Sequence, residues 1–333
     1  MNPQTKLLIL AAMLMTRISP NTLQADKPTR GVRLVTVLNY ENCLELFNES
    51  TCVQLGWQVG GRVLQYTYKG KEALYLSPEE ADWRETDHKT ASAGRFDIGP
   101  EYLVPPRPTL WEQPWHYEIL GPRAARLTSN PDPSTGVTLI RDFQLAETSS
   151  HLECRQTIYN HSKSPKAYCH WSRTFAHHGG IAIIPLTPTL SKLPDGYVMY
   201  KGRGLVDFRP SDPMIRRQGD YLILDGPAKQ PKLGFDSMKG WFTYLMPNDL
   251  AFTKRYETFP ERLYHDTAGL SISIWYPEAS HIPACELEPI GPLERLAPGE
   301  SASFSEHWEL TEFPFPKDPS AIDAEAVANR LAP

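Results

Sequence analysis

Residues 151–159 have the sequence HLECRQTIY, and this stretch decides the fold class. Leu152, Cys154, Gln156 and Ile158 fall on one side of an extended chain, and the charged and hydroxyl-bearing residues between them fall on the other. Such alternation is typical of an antiparallel strand that buries one face. Turn-forming residues follow at 160–165, so we expect a hairpin connection there.

Similar short runs recur along the whole chain, separated by turn residues. They are 33–38, 52–57, 62–68, 137–145, 151–159, 167–175, 181–184, 221–224, 241–245, 270–275 and 303–310. The 31 prolines and 21 glycines leave little room for long helices, because proline in a helix interior costs about 3 kcal/mol. Many short strands of this kind predict an all-β sandwich or barrel.

The composition bounds the classes of function. Of the 333 residues, 22% are charged, and the net charge of -5 is spread without long blocks of like charge. Nucleic-acid binding and a polybasic membrane patch are therefore not expected. We find no internal repeat and no flexible linker, so we expect one domain over residues 26–333.

The first 25 residues resemble a secretory leader. Lys6 and Arg17 flank an unbroken apolar run at 7–15, and no acidic residue is present. This run is about half the ~20 residues that span a bilayer. We therefore expect a signal peptide at 1–25, cleaved near Ala25, and a secreted or periplasmic protein without a membrane span.

The C-terminus carries the one helix that the sequence predicts clearly. Asp318 is suited to cap it, and Pro319 to occupy its first position. Ile322, Val327 and Leu331 would form a narrow apolar stripe that docks on the rest of the protein.

Residues 77–133 interrupt the strand pattern with tryptophan, proline and glycine, and we expect this irregular insertion to build a functional face. It contains Trp83, Trp111 and Trp115. Flat aromatic rings suit the apolar face of a pyranose. Packing in the core is the alternative role for each ring.

Glu286 and Glu288 lie two residues apart, so they share one face of a strand that ends at Pro289. Cys285 and Leu287 would occupy the opposite, apolar face. One of the carboxylates is then a candidate general base, and two solvated surface acids are the alternative.

Several segments together resemble the galactose mutarotase-like superfamily, the fold of aldose 1-epimerases, and a secreted branch of it. The segments are 60–63 (GGRV), 93–101 (AGRFDIGPE), 158–162 (IYNHS), 170–174 (HWSRT), 232–234 (KLG), 285–289 (CELEP), 296–300 (LAPGE) and 308–310 (WEL). The resemblance implies a large twisted antiparallel β-sandwich whose concave sheet holds a monosaccharide or the end of a sugar chain.

The resemblance also implies a chemistry. In enzymes of the superfamily a glutamate takes the proton of the anomeric hydroxyl and a histidine protonates the ring oxygen. Carried over to this chain, Glu288 or Glu286 would be the base, with a slight preference for Glu288, and His170 the acid. Arg95 would bind sugar hydroxyls. Proton transfers alone suffice, so neither a cofactor nor a metal is implied.

Two alternatives stay open. Strand alternation allows either His170 or Trp171 to face the cleft, and if Trp171 and Arg173 face it, His177 or His178 would have to supply the acid. Because His177 and His178 are adjacent, at most one of them would reach a metal ion.

The cations Lys232, Arg95 and Arg173 would suit an acidic sugar such as a uronate. We therefore expect aldose anomerisation or epimerisation, with non-catalytic carbohydrate binding on the same fold as the alternative. In either case the partner is a sugar or a sugar-chain end.

Overall fold

Two antiparallel β-sheets pack face to face in the computed structural model, which describes residues 30–82, 92–202, 205–264 and 268–332. The expected all-β sandwich with a short C-terminal helix is confirmed. The leader at 1–25 and Trp83 lie outside the described residues. Neither helix in the described ranges has the length and apolar character needed to cross a membrane.

The strands follow one another along the chain with few helical interruptions. They are β1 Val32–Val37, β2 Tyr40–Phe47, β3 Thr51–Gly56, β4 Arg62–Tyr68, β5 Lys71–Glu72, β6 Gly94–Gly99, β7 His116–Gly121, β8 Ala124–Thr128, β9 Val137–Leu145, β10 Leu152–Asn160, β11 Lys166–His177, β12 Ile181–Pro185, β13 Tyr197–Gly202, β14 Leu205–Asp207, β15 Ile215–Gln218, β16 Tyr221–Leu224, β17 Lys232–Phe235, β18 Trp241–Met246, β19 Leu250–Tyr256, β20 Ile272–Trp275, β21 Ala284–Pro289, β22 Glu294–Leu296 and β23 Ser301–Glu312. The α-helices are α1 Pro108–Trp111 and α2 Ala324–Leu331, and 3-10 turns span Pro78–Asp82 and Pro319–Ala321.

The larger sheet has 13 strands, in the order β1-β2-β3-β4-β6-β11-β21-β20-β17-β13-β14, with β5 paired to β4 and β22 to β11. The smaller sheet has 10 strands, in the order β15-β16-β12-β18-β19-β23-β10-β9-β8-β7. The main hydrophobic core fills the space between the two sheets. The other face of the larger sheet, which we call the outer face, is therefore available to carry a site.

Strand β10 has the expected alternation. Leu152, Cys154 and Ile158 belong to the main core, and Gln156 is buried beside them. Each predicted run overlaps an observed strand. The expected hairpin at 160–165 is wrong, because β10 pairs with β9 and β23 in the smaller sheet while β11 pairs with β6 and β21 in the larger one. Turn residues indicate that the chain reverses its direction, but they do not indicate to which sheet the next strand belongs.

The segment 77–133 is more regular than expected, since it contains β6, α1, β7 and β8. All residues of β6 are buried, yet its sequence alternates: Phe96 and Ile98 belong to the main core, whereas Arg95 and Asp97 lie on the outer face. The alternation covers only the four residues 95–98 between two glycines, so the strand is not among the predicted runs.

The C-terminal helix begins later than expected. Asp323 caps α2, because its Oδ1 accepts hydrogen bonds from the backbone N–H groups of Glu325 and Ala326. Asp318 instead caps the short turn Pro319–Ala321. The predicted apolar stripe of Ile322, Val327 and Leu331 does dock, against β12 and its neighbours in the smaller sheet.

The buried ammonium group of Lys254 joins the two sheets. Lys254 on β19 contacts Glu306 on β23 at 3.1 Å, and both side chains are fully buried. The same ammonium group donates to the carbonyl of Leu287 at 3.1 Å and to the hydroxyls of Ser172 and Thr174. Lys254 therefore ties the smaller sheet to β11 and β21 of the larger one.

We predict that Lys254→Met lowers the free energy of unfolding by about 3–5 kcal/mol, because it leaves the carboxylate of Glu306 buried without its cation. Urea-induced unfolding measures the change. Lys69→Met is the control, since Lys69 forms an ion pair with Glu312 at the exposed surface and its loss should change stability little. Equal losses in both variants would contradict the assigned role of Lys254.

Candidate functional site

The pairing of five strands gathers charged and aromatic side chains on the outer face. Arg173 on β11 lies opposite Arg95 on β6, and Phe175 lies opposite Glu286 on β21. Trp275 on β20 lies opposite Glu286 of β21 on one side and opposite Lys232 of β17 on the other. The residues between them in sequence, such as Phe96, Leu287 and Leu233, belong to the core between the sheets. Alternation therefore turns the charged set to the outer face.

Glu286 and Glu288 share this face, as expected, and they form a buried layer of the site. Their relative exposures are 1% and 0%. Nε of Arg173 donates to Glu286 Oε1 at 2.7 Å, and Nζ of Lys232 lies 2.8 Å from both oxygens of Glu288. Nε1 of Trp171 also donates to Glu288 Oε2, at 2.5 Å. Each carboxylate is thus held by a cation, which buried charges require.

Glu101 lies between the two cations, nearer to solvent. Its Oε1 is 3.5 Å from Arg173 and its Oε2 is 3.6 Å from Lys232. The side chains of Arg173, Lys232 and Glu101 are 19%, 12% and 22% exposed. These three groups, rather than the glutamates beneath them, are accessible to a ligand.

The pKa values of the two buried glutamates move apart. Burial, reinforced by the negative charge of Glu286, raises the pKa of Glu288 to about 8 despite Lys232 and Arg173 nearby. Burial also opposes ionisation of Glu286, but Arg173 and Lys232 outweigh it and hold the pKa of Glu286 below its ordinary value. The pKa of Lys232 rises to about 12, because the charges of Glu288, Glu101 and Glu286 overcome its burial.

A pocket of about 380 Å³ opens beside this cluster. Its lining includes Trp111, Arg173 and the ion pair of the partly exposed Arg107 with the buried Asp97, in which Nε of Arg107 donates to Asp97 Oδ1 at 2.7 Å. The half-buried ring of Trp111 provides an aromatic wall. This volume and mixture of groups are ordinary for a small-molecule site.

Arg95 lies beneath Trp111 rather than in the pocket. It is 1% exposed, its guanidinium carbon is 4.3 Å from the centroid of the Trp111 ring, and Nη1 donates to the Trp111 carbonyl at 2.9 Å. Burial, with the nearby charge of Arg62, holds the pKa of Arg95 well below its ordinary value. In this position Arg95 supports Trp111 and is itself covered.

Of the two open alternatives on β11, the structure has Trp171 and Arg173 on the outer face. His170 points into the space between the sheets, where its ring stacks on Phe304 with centroids 5.8 Å apart. Burial lowers the pKa of His170 to about 3. The expected pairing of His170 with Glu286 or Glu288 across a cleft is therefore not found. Trp171 donates a hydrogen bond to Glu288, and because it is only 2% exposed, its ring is not available to stack on a ligand.

The two replacement histidines lie away from the glutamates. His177, at the end of β11, packs edge-on against Tyr75 with ring centroids 6.4 Å apart. Nε2 of His178 lies 3.1 Å from the carbonyl of Pro277, and its ring packs on Tyr276. Neither ring contact brings a histidine to the charged cluster. Across the described ranges, no group of three or more His, Cys, Asp and Glu side chains is arranged to hold a metal ion.

Sequence reasoning missed four residues of the site, Asp97, Glu101, Arg107 and Trp275. Trp275 alternates with the core residues Ile272 and Ile274, so the period of β20 contained a usable signal. Arg107 lies in the proline-rich segment 105–108, where no period indicates a direction for its side chain.

Comparisons with known proteins identify the fold. No protein-family model matches the chain, and no curated protein sequence matches it. A galactose mutarotase-like protein from Lactobacillus casei is similar in structure, with a TM-score of 0.56 and 13% identity over 81% of this chain and 100% of that one.

A proposed aldose 1-epimerase from Escherichia coli K12 has a TM-score of 0.58 and 13% identity over 85% of this chain and 100% of that one. A galactose mutarotase-like protein from Clostridium acetobutylicum has a TM-score of 0.55 and 9% identity over 86% of this chain and 100% of that one. This chain therefore has the galactose mutarotase-like fold that its sequence resembles.

We predict that Glu288→Gln flattens the dependence of thermal stability on pH. A carboxyl group whose pKa is raised by folding stabilises the folded protein below its unfolded pKa of about 4.3. That contribution is lost as the pH rises through the folded value of about 8. Over this window the melting temperature of the wild type should therefore fall relative to that of Glu288→Gln.

The matched control is Glu118→Gln, at an exposed position on β7, which should keep the pH profile of the wild type. Differential scanning calorimetry across the same pH range measures all three proteins. Parallel curves for the wild type and Glu288→Gln would rule out the raised pKa.

Proposed function

We propose that the protein binds a carbohydrate on the outer face of its larger sheet. The observation that carries the proposal is the layered arrangement of charge, in which buried Glu286 and Glu288 hold the partly exposed Arg173 and Lys232. Because these groups are fixed before a ligand arrives, little side-chain freedom is lost when it binds.

The accessible groups match the chemistry of a sugar. Sugar hydroxyls both donate and accept hydrogen bonds, and here Arg173 and Lys232 are donors while Glu101 is an acceptor. The apolar face of a pyranose suits an aromatic wall such as Trp111 in the adjoining pocket. The same pocket brings the donors of Arg107 close to this ring.

We propose a neutral sugar or sugar-chain end as the ligand. The expectation of an acidic sugar depends on three cations in one cleft, but Arg95 is covered, and Arg173 and Lys232 each contact carboxylates. Because Glu101 already occupies the space between the two cations, an additional carboxylate on the ligand would be repelled by it.

Binding without chemistry fits the accessibility of the groups better than anomerisation does. A general base has to lie within hydrogen-bond reach of the proton that it removes. Glu288 is covered by Lys232 and Trp171, and His170 lies on the opposite face of its strand. The acid and base of an epimerase are thus not placed on either side of one pocket.

We propose in addition that residues 1–25 direct the protein out of the cytoplasm. The basic residues and the apolar run at 7–15 support this part of the proposal. Export would bring the outer face into contact with extracellular or periplasmic sugars.

We predict that Trp111→Ala weakens the binding of glucose or galactose about tenfold or more, because it removes the aromatic wall of the pocket. Isothermal titration calorimetry with glucose, galactose and glucuronic acid measures the affinities. Glucuronic acid should bind the wild type more weakly than the neutral sugars.

Trp57→Ala is the control for this variant. Trp57 is also half-buried, but it packs on Tyr117 and does not line the pocket. Unchanged affinity in Trp111→Ala would rule out the proposed wall, and tighter binding of glucuronic acid would overturn the neutral-ligand part of the proposal.

Proton transfer by the glutamate pair is the second candidate function. The pKa values of Glu286 and Glu288 are separated, and such a separation is the usual basis for assigning an acid and a base. A sugar would reach Glu288 in this case only after Lys232 moved aside. The fold itself does not favour binding over catalysis, because proteins of one fold can have different functions.

Exchange NMR of freshly dissolved α-glucose and α-galactose separates the two candidates. For a binding protein we expect the rate of anomerisation to equal that in buffer at every pH. Acceleration by the wild type that disappears in Glu288→Gln, but persists in Glu118→Gln, would replace the binding proposal with the catalytic one.

A further inference from the structure

A second pocket opens on the far side of the charged cluster. Its volume is about 400 Å³, and its lining includes Trp275, Lys229, Glu278 and His281. The rings of Trp275 and His281 meet edge to face, with centroids 5.6 Å apart at 86°. Like the pocket at Trp111, it combines an aromatic ring with donors and acceptors.

Both pockets lie on the outer face and flank the same glutamates. Trp275 lies opposite Glu286 in the β20–β21 pair, and Glu286 is bound by Arg173, which lines the first pocket. The ring of Trp275 also meets that of Phe175, the outer-face residue two positions beyond Arg173, with centroids 6.5 Å apart. The two pockets are therefore connected through buried side chains of the same face, because Phe175 is 0% and Glu286 1% exposed.

The strand order gives the separation of the pockets. From β11, which carries Arg173, to β20, which carries Trp275, the sheet crosses β21. Two strand spacings of about 4.8 Å each make roughly 10 Å between these backbones. Trp111 contacts Arg95 on β6, which is one strand further from β20 than β11 is, so we expect a single pyranose ring on Trp111 to be too short to contact Trp275 as well. Lys232 stands on β17, opposite Trp275, but its ammonium group reaches back to Glu288 on β21, and Glu101 lies between this group and Arg173 of the first pocket.

We infer that the site binds a sugar chain of at least two residues, with one ring in the Trp111 pocket and another in the Trp275 pocket. This inference rests on the proposed carbohydrate-binding function and specifies its ligand as an oligosaccharide. The hydroxyls between the two rings meet Glu101 and Lys232. Each pocket contributes its own aromatic contact, so a chain that occupies both pockets binds with higher affinity than a ring that occupies one.

The test compares affinity with chain length. Glucose and galactose are titrated calorimetrically beside their α-1,4-linked, β-1,4-linked and β-1,3-linked disaccharides, trisaccharides and tetrasaccharides. For at least one series we expect an increase of about tenfold or more from the monosaccharide to the chain that fills both pockets, followed by a plateau.

Trp275→Ala should remove this increase with chain length while leaving the affinity for the monosaccharide in the Trp111 pocket unchanged. His281→Ala, at an exposed position of the same pocket, is a second variant that spares the packing of Trp275 on Phe175. We expect it to reduce the increase in part. Trp57→Ala, outside both pockets, should retain the full increase.

The outcomes distinguish the two-pocket inference from the carbohydrate-binding proposal on which it rests. Equal affinity for monosaccharides and chains, or a chain-length increase that survives in Trp275→Ala, would overturn the two-pocket inference and leave carbohydrate binding in place. Failure of every saccharide to bind would overturn both.

Discussion

Two buried carboxylates, those of Glu286 and Glu288, determine the arrangement of the outer face. A buried carboxylate is stable only when it is paired or protonated. Arg173 and Lys232 provide the pairing. Burial, reinforced by the nearby negative charge of Glu286, raises the pKa of Glu288, so its protonated form persists to a higher pH than usual. The cations are therefore fixed from below by groups that no ligand touches. This buried layer makes the exposed layer rigid.

The same strands are also held from the inner side. Lys254 reaches from the smaller sheet to the carbonyl of Leu287, which lies between the two glutamates in sequence, and to the hydroxyls that flank Arg173. The strands β11 and β21 are thus held by charged hydrogen bonds on both faces. Such bonds are roughly twice as strong as neutral ones. The stability of the sandwich and the geometry of the site consequently depend on the same two strands.

Local patterns in the sequence predict the strands better than they predict the site. The period of two in β10 and the shared face of Glu286 and Glu288 follow from the chain alone, and both are observed. β6 was missed because its alternation covers only residues 95–98, between two glycines. The choice between His170 and Trp171 depends on Phe304, which packs on His170 from the other sheet. Contacts between residues so distant in sequence leave no local periodic pattern. The contacts of Arg173 with Glu286 and of Lys232 with Glu288 are also distant in sequence, so they could not be predicted from it either.

Accessibility, more than residue identity, separates the two functions that this fold accommodates. A glutamate, a histidine and an arginine of the kind an epimerase uses are all present here, yet His170 packs between the sheets and Arg95 lies under Trp111. The carboxylate of Glu288 is covered by Lys232 and Trp171, which both donate hydrogen bonds to it. Between the two aromatic positions, a ligand on the outer face would instead meet Arg173, Lys232 and Glu101, whose charges are already paired. Under the binding proposal such a surface suits a neutral chain held through many modest contacts, because the candidate base Glu288 is covered where a sugar would have to present its anomeric hydroxyl.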